Sequence, residues 1–216
     1  MYKKVFKRLI DIVISLLAMP FIAIILLIFA PIIHLTDKGP VFYNGERLGY
    51  KCKHFKMFKL RSMKMNAPDL RNSDGSTYNS ENDPRLTSLG GFLRKTSLDE
   101  LPQFINVLVG DMSIIGPRPG TTDSELTDNE QKRRSVRPGI TGYSQALMRN
   151  SDSMEERMRN DVFYAENVSF KLDCYIFFKT IQSVLIKKNI YRNTESDTIV
   201  VESSESTLVE LESKKG

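Results

Sequence analysis

From Ile12 to Leu35 the chain is almost uninterruptedly apolar, and such a segment has few places to go. At about 22 to 24 residues it is just long enough to cross a bilayer as a straight helix. Lys3, Lys4, Lys7 and Arg8 precede it; Lys38, Arg47, Lys51, Lys53, Lys56, Lys59 and Arg61 follow it. Lys and Arg mark the cytoplasmic side of a membrane segment, so both flanks ask for the same side. Pro20 sits in mid-run, where it removes a helix hydrogen bond and clashes with the carbonyl of Leu16. Two paths are open: a kinked re-entrant helix that enters and leaves on the cytoplasmic face, or a spanning helix with a tolerated proline kink. A cleaved signal peptide fits poorly, because the run is too long for its apolar region and no small-x-small site precedes Thr36. Asp11 follows Lys7 and Arg8 by one turn and could pair with either, since an unpaired carboxylate at the membrane edge is costly.

The 216 residues suit one domain with appendages: a membrane segment over 1–36, a compact domain over 37–190, and a Ser/Glu-rich tail expected to be disordered over 191–216. A net charge of +5 favours anionic partners such as phosphorylated substrates, anionic lipid or nucleic acid. The basic cluster at Lys132, Arg133, Arg134 and Arg137 has no interleaved aromatics and lies beside Asp128 and Glu130, which argues against nucleic acid. Cys52 and Cys174 are far apart, and with His34 and His54 they form no zinc-type spacing. They fit a reducing compartment.

Past the membrane segment, Val41 to Tyr43 reads as a short strand, Gly45 to Gly49 as a turn and Lys53 to Met63 as a basic strand. Asn66 to Pro84 is polar and reads as a mobile surface loop. A helix is expected from Leu98 to Leu108. Ser97 and Glu100 form a capping box, Leu98, Leu101, Phe104, Ile105 and Leu108 form its apolar face, and Gly110 ends it. Met112 to Ile115 is a short apolar segment delivering Gly116-Pro117-Arg118-Pro119. Asp123 to Arg137 reads as a charged helix, Pro138 to Gly142 as a rigid turn and Met154 to Ala165 as a helix. Phe170 to Ile186 is an amphipathic helix suited to the core or to a membrane interface.

The chemistry gathers at Asp99-Glu100. In a bland reading, Glu100 closes a cap and Asp99 complements the helix dipole. In the functional reading, the same helix end favours negative charge and phosphate, Asp99 stays ionised as a nucleophile for phosphorus, and adjacent carboxylates share a magnesium ion. Arg118, locked between two prolines, is a fork suited to phosphate. Lys59, Arg61, Arg94 and Arg137 are further phosphate candidates, each also readable as a solvated charge. No Walker A or Rossmann fingerprint is present.

Taken in order, Gly39-Pro40-Val41-Phe42, Lys59-Leu60-Arg61-Ser62-Met63, Asp83-Pro84-Arg85-Leu86-Thr87, Ser97 to Gln103, Gly116-Pro117-Arg118-Pro119 and Arg137 to Gly142 resemble the bacterial sugar transferases, small monotopic polyprenyl-phosphate hexose-1-phosphate transferases. The resemblance runs from Lys7 to about Lys188. Asp161 to Tyr164 and Asn167 to Phe170 are similar to the short phosphoglycosyltransferases of bacterial N-glycosylation. The resemblance implies an α+β, mostly helical fold: a re-entrant membrane helix broken at Pro20 and a compact cytoplasmic catalytic domain with amphipathic interfacial helices. It implies that Asp99 attacks the β-phosphorus of a UDP-sugar, releasing UMP, and that undecaprenyl phosphate then takes the phosphosugar. Glu100 would assist, Mg²⁺ on Asp99 would neutralise phosphate charge, and Arg118 would clamp phosphate. The setting would be the cytoplasmic face of the bacterial inner membrane, at the first membrane step of glycan assembly, with downstream glycosyltransferases as partners.

Two positions depart from the family pattern. Met19 stands where Ser usually precedes the breaking proline, and Leu147-Met148-Arg149 stands where Asn-Gly-Arg is usual, a region that bears on sugar choice. The rival reading is a catalytically inactive, membrane-anchored basic binding module, against which the intact Asp99-Glu100 pair argues. A truncated relative of a longer enzyme is a third reading; one apolar segment after Met1 favours a complete short form.

Overall fold

The computed structural model describes residues 1–71, 78–80, 82–122, 126–147, 153–185 and 200–201. It is mixed α and β and mostly helical. A short π-helical turn, Tyr2–Phe6, leads into α1, Lys7–Asp37. Helical backbone continues through Pro20, where a break is expected, and through Pro31. One stripe of the helix is held by burial on both sides of the proline, through Asp11, Ser15, Ile22 and Ile33. The opposite stripe, with Val13, Leu17, Ile24 and Leu27, is exposed. Alone among the described residues, this helix is long and apolar enough to cross a membrane.

Both ends of α1 dock on the same body. At the first end, Lys7 Nζ lies 2.8 Å from Asp173 Oδ2, and Arg8 donates to the carbonyls of Val107 and Leu108. Asp11, placed to pair with either Lys7 or Arg8, has the Lys7 charge acting on it but takes its hydrogen bonds from Ser113 Oγ at 2.7 Å and from the Ile114 N–H at 3.1 Å. Those basic neighbours are already engaged by the domain. At the far end, Ile33 packs with Leu60 and Leu93, and Phe29 stacks on Phe92 with centroids 6.1 Å apart.

β1, Phe42–Leu48, and β2, His54–Leu60, form an antiparallel hairpin in which Tyr43 faces Lys59 and Leu48 faces His54. The expected turn over Gly45 to Gly49 lies within and just past β1. The chain reverses instead through Gly49 and Tyr50–Cys52, where Lys51 and Cys52 take left-handed backbone angles. β3, Leu70–Arg71, falls in the polar stretch expected to be a mobile loop; residues 72–77 and 81 of that stretch lie outside the described residues. The flanking Tyr78 and Asp83 are buried.

α2, Ser88–Thr96, is capped by the Thr87 side chain, which accepts from the Gly90 N–H. It ends at Ser97, a left-handed residue with φ 57°. Ser97 therefore makes no capping box; it closes α2 rather than opening the next helix. Leu98–Glu100 is a tight 3₁₀ turn, and α3, Gln103–Val109, starts only after Pro102. Gly110, at φ 101°, ends α3 as expected.

β4, Ser113–Ile115, runs parallel to β5, Gly139–Thr141. The segment expected as a rigid turn is thus a short strand. A Cβ on Gly139 would lie 2.1 Å from the Gly116 nitrogen, so the two chains meet here only because both residues lack one. The expected charged helix is short: α4, Asp128–Arg133, capped by Thr127. Residues 123–125 lie outside the described residues. α5, Tyr143–Leu147, precedes α6, Met154–Glu166, which opens on a capping box of Ser153 and Glu156. α7, Phe170–Leu185, divides its apolar surface. Ile176 is buried in the main core with Phe55, Val107, Met112 and Tyr164, while Phe170, Phe178 and Ile181 are exposed. Val200–Val201, in the tail expected to be disordered, pair with β3 as β6; the rest of the chain after Leu185 lies outside the described residues.

Candidate active site

The site is built where β2 meets the turn between α2 and α3. Lys59 projects from β2, and its Nζ lies 2.8 Å from Asp99 Oδ2 and 3.3 Å from Glu100 Oε1. Asp99 is 2 % exposed. The turn ends at Pro102, which supplies no N–H to a preceding helical turn, so both carboxylates stand ahead of α3 rather than inside it.

The two carboxyls are driven apart. Burial pushes Asp99 above the usual aspartate range; Lys59 opposes this and Glu100 adds to it. Burial alone would also raise Glu100, but Lys59 and Arg118 outweigh it and hold Glu100 below the usual range. Burial would lower Lys59, yet Glu100 and Asp99 prevail and raise it, so its ammonium is retained. Neighbouring carboxyls separated in this way take different roles.

Of the basic candidates, the structure gathers Lys59, Arg94 and Arg118. Arg94 donates from Nε to Ser62 Oγ at 3.1 Å, and its charge acts on both carboxylates. Arg118 is exposed and acts on Glu100. Arg61 and Arg137 have other places. Arg61 is buried and donates from Nη2 to the Ile33 carbonyl at 3.2 Å, tying the end of α1 to the domain. Arg137 donates from Nε to the Gly110 carbonyl at 2.8 Å and lies over the Tyr50 ring, at the far end of α3 from Asp99. A basic residue in sequence carries no sign of whether its fork will meet a ligand or a backbone carbonyl.

Three supporting groups were given no role in the sequence reading. Asn106, fully buried on α3, accepts from the Phe58 N–H at 2.8 Å and donates to the Lys56 carbonyl at 2.8 Å. It therefore sets β2, and Lys59 with it, against the Asp99 turn. It lies off the expected apolar face of Leu101, Phe104, Ile105 and Leu108; the face that α3 buries carries Gln103, Asn106 and Val107 instead, which apolar spacing could not single out. Asp83 accepts from Arg85 Nε at 2.9 Å and lies 3.8 Å from Arg94 Nη1. Burial would raise Asp83, but its bonds to Arg85 hold it low, so a fixed anion backs Arg94. Asp161 and Arg133 form the third group, near Arg118.

Among the described residues no three His, Cys, Asp or Glu side chains gather as a metal site. Asp99 and Glu100 offer two carboxylates. That donor set fits magnesium, which binds through one or two carboxylates with phosphate and water oxygens completing its shell.

A UDP-glucose:undecaprenyl-phosphate glucose-1-phosphate transferase of Klebsiella pneumoniae is 40% identical over 197 residues, which are 87% of this chain and 42% of that protein. This chain thus spans less than half the length of that relative. The sugar transferase EpsL of Bacillus subtilis is 38% identical over 188 residues, 86% of this chain and 90% of its own length. The exopolysaccharide production protein PSS of Rhizobium leguminosarum is 38% identical over 196 residues, 85% of this chain and 96% of its own. The family profile described as bacterial sugar transferase matches residues 2–187, which include the apolar helix α1, the Asp99 turn and the Arg118 loop, and the chain belongs to that family.

Proposed function

We propose that this chain transfers a sugar-1-phosphate from a UDP-sugar to undecaprenyl phosphate, forming undecaprenyl-diphosphate-sugar and UMP. The observation that carries this reading is the buried Asp99 carboxylate held 2.8 Å from the Lys59 ammonium beside Glu100. Relatives named as undecaprenyl-phosphate sugar-phosphate transferases support the substrate pair.

In the first step an Asp99 oxygen attacks the β-phosphorus. The bond from that phosphorus to the bridging oxygen breaks, and UMP leaves with the electron pair. In the second step an oxygen of undecaprenyl phosphate attacks the same phosphorus, and the bond to Asp99 breaks to restore the carboxylate. Splitting the transfer means that the donor diphosphate and undecaprenyl phosphate need not occupy the site at the same time. Lys59, Arg94 and Arg118 offset phosphate charge, and positioning and charge neutralisation dominate such reactions. Glu100, held ionised, keeps Lys59 between the two carboxylates. Bound Mg²⁺ would supply further neutralisation of diphosphate charge, held by Asp99 with Glu100 beside it.

The chain acts from the cytoplasmic face of the bacterial inner membrane, with α1 bending at Pro20 while keeping its helical backbone, so that it enters and leaves on that face. The docking of both ends of α1 on one domain supports this path. The exposed Phe170, Phe178 and Ile181 of α7 suit the lipid interface.

UMP release from a panel of UDP-sugars, with undecaprenyl phosphate and Mg²⁺ in lipid nanodiscs, tests the reading. One donor should release UMP, and Asp99→Asn should abolish the release. Full turnover by Asp99→Asn would overturn the Asp99 mechanism. Lipid binding by folded protein without turnover of any donor would favour the inactive basic module.

A further inference from the structure

Arg118 is held by its backbone from both sides. On α4, Arg133 places Nη1 2.8 Å from Asp161 Oδ2 of α6, and its Nη2 donates to the Arg118 carbonyl at 3.2 Å. The main-chain N–H of Arg118 in turn faces the Asp161 carboxylate. A single ion pair therefore brackets residue 118. Asp161 is 3% exposed, and Arg133 is fixed a second time through Nε to Glu130 Oε2 at 3.1 Å. The neighbouring residues are held as well. The Pro117 carbonyl accepts from Gly139 at 2.9 Å, and Gly120 exchanges backbone bonds with Leu48 at 3.2 and 3.0 Å. Prolines on either side of Arg118 fix φ there. The Arg118 side chain remains exposed at the Glu100 carboxylate. Helix packing alone would join α4 to α6 without reaching into this loop.

We propose that Asp161 and Arg133 are positioning residues, which aim the Arg118 guanidinium at the donor's diphosphate by clamping the Arg118 main chain. The proposal rests on the sugar-phosphate transfer reading for its substrate. Neither residue touches the reacting atoms.

Titration of the clamp separates this role from a structural one. Asp161 is faced by Arg133 and Glu130 from α4 and by Arg118 from the loop. Burial, with Glu130 adding and Arg133 and Arg118 opposing, pushes its carboxyl up to about 6. As pH falls through that value Asp161 protonates, and its hold on Arg133 and on the Arg118 N–H weakens. The donor KM should therefore rise below about pH 6 in the native protein. In Asp161→Asn it should be raised across the range and show no such step. The sign for stability is opposite. A carboxyl raised by burial is disfavoured in its ionised form, so protonation does not weaken the fold.

The experiment uses the full chain in nanodiscs and compares Asp161→Asn, Arg133→Lys, Arg118→Ala and the double variant Asp161→Asn/Arg118→Ala. Donor KM, kcat and Tm are measured for each. Loss of one charge-assisted contact predicts an increase in KM on the order of tenfold for Asp161→Asn. In the Arg118→Ala background the same change should add nothing, because Asp161 acts through Arg118. Additive effects, or a KM unchanged in Asp161→Asn, would overturn the proposal. If no UDP-sugar turns over, calorimetric titration with pyrophosphate still tests the clamp. Equal weakening in Asp161→Asn and Arg118→Ala supports it while the transfer reading fails, and unchanged binding in both overturns it.

Discussion

Asp99 and Lys59 show how one buried contact sets a working range. In the proposed mechanism ionised Asp99 is the attacking form, so turnover should fall as pH drops through its pKa. Burial raises that pKa, so the acid limb of kcat/KM should lie above the range of an exposed aspartate. Lys59 opposes the rise from 2.8 Å away. Lys59→Met should move the acid limb to higher pH as well as lower the rate. A pH profile of UMP release checks both, and an acid limb at the exposed-aspartate value would refute the burial argument. Asp99→Asn, by removing the proposed nucleophile, should reduce kcat by at least about 10³-fold.

At the level of elements, the site depends on how β2 and α2 are seated. Asn106 binds both the Phe58 N–H and the Lys56 carbonyl. Asn106→Ala leaves these groups unpaired in a buried place and should destabilise by about 1–3 kcal/mol. It should also lower kcat, because Lys59 is carried on the strand so released; urea denaturation and turnover measure the two effects. Gly90 and Gly91 of α2 form an internal control. A Cβ on Gly90 would lie 1.8 Å from the Ser62 carbonyl oxygen, which is backbone and cannot swing away. Gly90→Ala should destabilise by about 1–3 kcal/mol through overpacking. A Cβ on Gly91 meets nothing within 4 Å. Gly91→Ala should stabilise by roughly 0.5–1 kcal/mol through helix propensity. Equal effects at the two positions would refute the packing account of α2.

Over the whole molecule, α1 is less a detached anchor than a part of the domain. Asp173 receives Lys7 at 2.8 Å, Tyr2 at 2.5 Å and the Tyr164 hydroxyl at 2.7 Å, joining the start of the chain to α6 and α7. Ile33, near the other end, is buried with Leu60 directly behind Lys59. The apolar helix therefore bears on the strand that carries the candidate site. Single cysteines at Tyr2 and Lys38, introduced after Cys52 and Cys174 are replaced by Ser, should be labelled from one side of the membrane. Labelling from opposite sides would exclude the re-entrant path. Ile33→Ala should cost about 2–5 kcal/mol in a cavity that is shared by helix and domain.

Sequence alone established what depends on order and local chemistry. The apolar run, its paired basic flanks, the Asp99-Glu100 pair, the proline-locked Arg118 and the apolar stripe of α7 are each written within a few neighbouring residues. Family membership is legible for the same reason, since it rests on motifs in order. Only the tertiary structure decided where side chains with many possible partners would go. It sent Arg61 and Arg137 to backbone carbonyls, Asp11 to Ser113 and Lys7 to Asp173. It also turned Ser97 from the expected start of a helix into the end of α2, because Pro102 delays α3. A charged side chain is satisfied by any complementary group within reach, and reach between residues 7 and 173 or 118 and 161 is a property of packing. Local sequence supplies the candidates, and the folded chain selects among them.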